Sequence, residues 1–163
     1  MSEVQVARVI GVDHFGGTVS DVDRSIAFWR DLLGLDVVGR GVIEWPHIDE
    51  LVALNDTKLE WVEFRVPGGG RVELMRYHRP VGAPISSGDE NEPGRSHVSL
   101  LVDDLTALMK TLKQAGVRSR TDEPVDMVVG AYAGSKGAYV FDPDGIQIEL
   151  IERAHTGTTE GKG

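Results

Sequence analysis

Residues 13–35 read DHFGGTVSDVDRSIAFWRDLLGL, and the plan returns from residue 95 as RSHVSLLVDDL. In the first stretch, β-branched and small residues over Val9–Val19 predict a strand. Ser20-Asp21 offers a helix N-cap. Val22, Ile26, Trp29 and Leu33 then fall at spacings of 4, 3 and 4, one helical face. Gly34 closes the helix as a left-handed C′ residue, and Leu35–Val38 predicts the next strand. In the second stretch, His97–Val102 predicts a strand and Asp103-Asp104 a cap. Leu105, Leu108, Met109 and Leu112 form the apolar face, and Gly116 is the stop. His14 to Gly34 spans 20 residues and His97 to Gly116 spans 19. Each unit also closes on an apolar-Glu-Leu word, Val72-Glu73-Leu74 and Ile148-Glu149-Leu150.

Two copies are too few for a solenoid and predict a pseudo-symmetric pair. The first module is assigned to residues 8–79, with an extra segment at 44–55 in which Ile48, Leu51, Val52 and Asn55 predict a short helix, a lid or pocket wall. Residues 80–95, rich in Pro, Gly and acidic side chains, form the linker. The second module takes residues 96–153, and residues 154–163 are expected to be a disordered tail. Pro67-Gly68-Gly69-Gly70 and Asp142-Pro143-Asp144-Gly145 are turns leading into the two Glu strands.

Lys and Arg number 17 against 26 Asp and Glu, a net charge of -9. Such a chain repels phosphate backbones and lacks a polybasic stretch, so neither nucleic acid nor membrane is an expected partner. With no cysteine, thiolate metal sites and disulfides are excluded. No apolar run approaches the ~18 residues of a membrane span. The first residues lack a basic stretch followed by an apolar one, so a soluble, cytoplasmic protein is expected.

The repeat sets a His on the first strand of each module and a Glu on the last: His14, Glu73, His97 and Glu149. Zn, Ni, Co, Mn and Fe dications accept imidazole nitrogen and carboxylate oxygen. Two neutral imidazoles and two carboxylates neutralise a dication and leave octahedral positions for two further oxygens. A lone Glu beside apolar neighbours on a strand most often faces solvent. Recurrence at equivalent positions reverses that reading.

The motifs DHFGGTVSDVDRSIAFWRDLLGL, RVELM, RSHVSLLVDDL and FDPDGIQIELIE resemble the vicinal oxygen chelate superfamily. It includes glyoxalase I, methylmalonyl-CoA epimerase, extradiol dioxygenases and bleomycin and fosfomycin resistance proteins. The resemblance covers residues 8–153. It implies an α+β fold of two βαβββ modules in pseudo-twofold arrangement, forming a curved sheet around a metal cleft. By motif match the metal positions fall on His14, Glu73, His97 and Glu149. The implied cofactor is one divalent ion (Zn, Ni, Co, Mn or Fe), and the implied substrate is a small molecule with two neighbouring oxygens.

Within that family, Glu73 occupies a position that the two-His, one-carboxylate dioxygenases leave free. Glyoxalase I-type lyases and epimerases both suit four ligands and both move a proton beside a carbonyl, with Glu73 and Glu149 as candidate bases. Glu73 is followed by Leu-Met-Arg-Tyr-His rather than by the Asn typical of glyoxalase I. His14-Phe15-Gly16-Gly17-Thr18-Val19 is similar to the epimerase His-x-Gly-x-x-Val pattern. Epimerase or isomerase chemistry is therefore the expectation; a lactoylglutathione lyase-type enzyme, an Fe(II) dioxygenase and a metal-free resistance protein are the alternatives. The cleft closes within one chain or across two, and a homodimer is expected because each module leaves a sheet edge unpaired.

Other side chains carry less. Tyr77 and His78 either line the cleft or begin the linker. Trp45 and Trp61 are pocket aromatics or core. His47 reads as surface, and His155 as part of the tail. Lys136, in AGSKGAY, reads as a loop lysine able to close over an anion. Asp13 is expected to face away from His14 and is not a ligand candidate.

Overall fold

The computed structural model describes residues 7–84 and 91–154 of the 163. The first module runs β1 (Phe15–Thr18), α1 (Val22–Ile26), β2 (Asp36–Ile43), α2 (Pro46–Val52), β3 (Lys58–Arg65) and β4 (Arg71–Arg79). The second runs β5 (His97–Leu101), α3 (Leu105–Gln114), β6 (Val125–Met127), β7 (Ser135–Phe141) and β8 (Gln147–Glu152). Each module forms its own four-stranded mixed sheet, ordered β1-β4-β3-β2 and β5-β8-β7-β6. This is the paired βαβββ, α+β architecture.

Both helices start where the sequence places them. The Asp21 side chain accepts from the Arg24 N–H and Asp104 from the Ala107 N–H, which satisfies donors left open in a first turn. α1 continues as a π-helical turn over Ala27–Leu32. The wider turn buries Phe28 together with Trp29, two neighbours that α-helical spacing sets 100° apart. Gly34 and Gly116, at φ 77° and 75°, end the helices as expected.

Four expectations need correction. The first strand begins at Phe15 rather than Val9, because its partner β4 begins at Arg71 and the ladder opens at Phe15↔Val72. Residues 9–14 therefore have no neighbouring strand. The second strand reaches Ile43 instead of stopping at Val38, since a bulge between Val37 and Gly39 lets it rejoin β3. Lys136 is not in a loop. Gly134, at φ 82°, turns the chain so that Lys136 enters β7 opposite Glu152. The Asp13 correction belongs to the site, below. Residues 155–163, including His155, and residues 85–90 lie outside the described part.

The two modules share one core. Trp29, Val62, Phe64, Val72 and Leu74 belong to the same buried cluster as Leu105, Met109, Leu112, Val140, Ile148 and Leu150. Burying such side chains provides roughly 1.5–3 kcal/mol each before chain entropy is set against it. The joint runs from α1 to the β7–β8 turn. Trp29 Nε1 faces Asp142 Oδ2 at 3.5 Å, and Arg24 donates to Asp144 Oδ1 at 2.8 Å. At Gly17 a Cβ would lie 2.7 Å from Ile146 Cδ1, so a larger residue there would push the Ile146 side chain aside. Packed this way, β1 pairs with β4 alone and β5 with β8 alone. Among the described residues both first strands remain free sheet edges.

Candidate metal centre

The four predicted residues meet as two pairs. His14, just before β1, sets Nε2 3.4 Å from Glu73 Oε2. His97, opening β5, sets Nε2 3.6 Å from Glu149 Oε2. The parallel ladders explain both pairings, for β4 and β8 carry each Glu beside the strand that its His precedes or begins. Within the single chain the pairs do not merge. Among the described residues no group of three or more His, Asp or Glu side chains is arranged to hold an ion.

Each pair nevertheless approaches the spacing of two donors on one ion. A separation of 3.4–3.6 Å exceeds good N–H···O hydrogen bonding. Two donors about 2.1 Å from a shared ion stand roughly 3.0–3.5 Å apart at octahedral to tetrahedral angles. The side chains are 19–37% exposed, open to a ligand rather than sealed in the core.

Each pair is braced differently. Asp13 Oδ2 lies 2.7 Å from His14 Nδ1. It therefore does not face away, because residues before Phe15 are outside the ladder and do not alternate. With the proton on Nδ1, His14 donates to Asp13 and keeps the Nε2 lone pair for a metal. Arg71 donates to Asp13 Oδ1 at 2.7 Å and reaches Glu63 Oε1 at 3.2 Å. The bonds from His14 and then Arg71 hold the Asp13 carboxyl below its ordinary pKa. In the second module Tyr139 does the bracing. Its hydroxyl donates to Glu149 Oε1 at 3.0 Å, and its ring meets the His97 ring edge-on at 5.4 Å.

Sequence reading missed Tyr139, Glu63, Arg71 and the role of Asp13. A signal existed for two of them. Each Glu lies in a hairpin, and reflection about its turn gives the facing residue: Tyr139 opposite Glu149 and Glu63 opposite Glu73.

Of the residues weighed singly, Tyr77 is still within β4, two pairs beyond Glu73 and on its face of the sheet. His78 falls on the other face, with Nε2 3.2 Å from Glu60 Oε2. Trp61 is partly exposed on the Glu73 face and is absent from the buried core. Trp45 and His47 are exposed. A groove of about 700 Å³ lies at the joint, lined by Arg24, Phe28, Arg118, Phe141 and Asp144 among others, and contains none of the four ligand candidates.

Residues 11–150 match the model of the Glyoxalase/Bleomycin resistance protein/Dioxygenase superfamily. The chain belongs to that superfamily. It is 28% identical over 144 residues to a probable lactoylglutathione lyase of Vibrio cholerae, covering 85% of this chain and 89% of the relative. It is 26% identical over 158 residues to a 2-epi-5-epi-valiolone epimerase of an Actinomyces species, covering 90% and 81%. The fold matches a glyoxalase family protein from Bacillus cereus with a TM-score of 0.77 at 23% identity, over 92% of this chain and 98% of that one. It also matches a fosfomycin resistance protein of Listeria monocytogenes, solved with Mn(II) and sulfate, with a TM-score of 0.59 at 15% identity, over 91% and 96%.

Proposed function

We propose that this protein is a divalent-metal-dependent enzyme that binds two neighbouring oxygens of a small substrate and transfers a proton beside a carbonyl, as an epimerase or isomerase. The observation that carries the reading is the duplicated His–Glu pair, each with an N···O separation suited to a shared ion. Because neither pair alone supplies enough ligands and the chain keeps them apart, a homodimer completes the centre. Module one of one copy faces module two of the other along the free β1 and β5 edges.

The ion, when bound, polarises the substrate carbonyl as a Lewis acid. The protein's own groups handle the proton. Glu149 is held by the Tyr139 hydroxyl and is the stationary carboxylate. Among the described residues no side-chain hydrogen bond holds Glu73, whose neighbour is His14 Nε2 at 3.4 Å. Glu73 is therefore free to turn to the substrate and take the proton, and either carboxylate can return it.

Metal analysis of the purified protein and solvent-deuterium incorporation into α-hydroxy ketone and 2-substituted thioester substrates test this reading. Bound metal with deuterium exchange is expected; a chain that takes up no divalent ion overturns it. The likeness to the Vibrio cholerae relative favours a second reading, a glutathione-dependent lyase. Turnover of a glutathione hemithioacetal in place of exchange would select it. Oxygen consumption with catechols and Fe(II) would select the dioxygenase alternative.

A further inference from the structure

The β3–β4 ladder places Glu63 opposite Glu73, Trp61 opposite Met75 and Leu59 opposite Tyr77. Facing residues share a side of the sheet, as do residues two apart. Glu73, Met75, Tyr77 and Trp61 therefore lie on one face, which changes from acidic at Glu63 and Glu73 to apolar at Trp61.

The indole lies flat on the neighbouring strand. A Cβ at Gly39 would sit 2.8 Å from its Cζ3, and one at Gly41 would sit 2.9 Å from its Nε1. Both ends of the ring thus rest on glycines, and any side chain at either position would lift it. One side of the ring lies against β2, and the residue remains partly exposed. Two cations share this face: Arg71, engaged by Glu63 and Asp13, and the exposed Arg65 opposite it, two same-face pairs away from Trp61 at the far end of the ladder.

Resting on the proposed metal reading, we infer that Trp61, backed by Gly39 and Gly41 and flanked by Met75 and Tyr77, is the specificity wall of the site. It receives a planar, uncharged group of the substrate attached next to the chelated oxygens. Diagonal neighbours on a sheet stand ~7–8 Å apart, so the planar group sits close to the chelating oxygens. Trp61, Met75 and Tyr77 themselves offer no cation to an anionic carrier.

Three hydroxamates share one chelating head and differ in tail: benzohydroxamate is planar and apolar, acetohydroxamate has no ring, and succinyl monohydroxamate carries a carboxylate. Their affinities for the metal-loaded full-length protein are measured by calorimetry, with metal content and sedimentation recorded for each sample. Benzohydroxamate is expected to bind about tenfold or more tighter than the other two. The gap should collapse in Trp61→Ala and in Gly41→Val, with acetohydroxamate affinity and metal content unchanged. Equal affinities in the parent protein, or a gap that survives both substitutions, overturns the inference while leaving the metal reading intact. Dissociation of the dimer in Trp61→Ala also overturns it, because the wall would then be covered by the second copy. Loss of metal binding in the parent protein is the separate failure of the enzyme reading.

Discussion

Glu73 and Glu149 occupy equivalent places in equivalent hairpins, yet the residues facing them are opposite in chemistry. Across the ladder Glu149 meets Tyr139, whose hydroxyl donates to it at 3.0 Å. Glu73 meets Glu63, an acceptor with nothing to donate, which is drawn toward Arg71. Module one spends its bracing on the imidazole instead, through the Glu63–Arg71–Asp13–His14 chain. One half thus fixes its histidine and leaves its carboxylate loose, and the other half fixes its carboxylate. A duplicated scaffold thus sets two identical side chains in different surroundings by changing the residues around them.

The largest effects are expected from the ligand candidates themselves. Glu73→Ala or Glu149→Ala should weaken divalent-metal binding by more than the ~10–100-fold typical of supporting residues, measured by competition with a chromogenic chelator. Retained affinity in both variants would remove the metal centre. Glu73→Gln should keep more affinity than Glu149→Gln while losing all solvent-deuterium exchange. The reverse order would exchange the two roles.

The bracing residues come next. Tyr139→Phe and Asp13→Asn should each lower metal affinity by roughly tenfold with thermal unfolding nearly unchanged, since each removes one polar group and keeps the packing of its side chain. The Co(II) absorption spectrum separates them: Asp13→Asn perturbs the nitrogen ligand and Tyr139→Phe the oxygen ligand. Identical spectra for the two would contradict the division of labour between the halves.

How much of this was legible follows from where the information sits. The helix caps and the glycine stops depend on local spacing, so a single pass along the chain finds them; the pairing of each His with a Glu follows from the repeat of the module. Tyr139 and Glu63 depend on hairpin register, which the sequence holds only through the turn positions. Asp13 was misread because alternation was extended beyond the end of β1, where no partner strand imposes it. The π-helical turn follows from packing Phe28 and Trp29 against a core drawn from both modules, a tertiary demand that α-helical periodicity does not encode. That the two His and two Glu stand as two separate pairs is a property of module packing, on which residue spacing is silent.

The smallest effect concerns the joint that the halves share. Burial raises the Asp142 carboxyl above its ordinary pKa, although the Asp144 and Ile146 N–H groups both donate to it. A raised folded-state value means that the folded protein binds this proton more tightly than the unfolded chain. Stability from this group is therefore full below the unfolded value, about 3.9, and declines as pH rises toward the folded value. Asp142→Asn keeps the acceptor oxygen and removes the titration. Its stability relative to the parent should improve as pH rises through that window, and a constant difference across chemical denaturations from pH 3 to 7 would refute the assignment.

In the proposed dimer one ion is held by module one of one copy and module two of the other. Two double variants test it: His14→Ala with Glu73→Ala, and His97→Ala with Glu149→Ala. Each alone should bind no metal. Mixed in equal amounts and allowed to exchange subunits, they should regain about one ion per four chains, because half of the dimers then contain one intact pair of pairs. A mixture that remains empty after exchange has been verified would contradict a centre shared between chains.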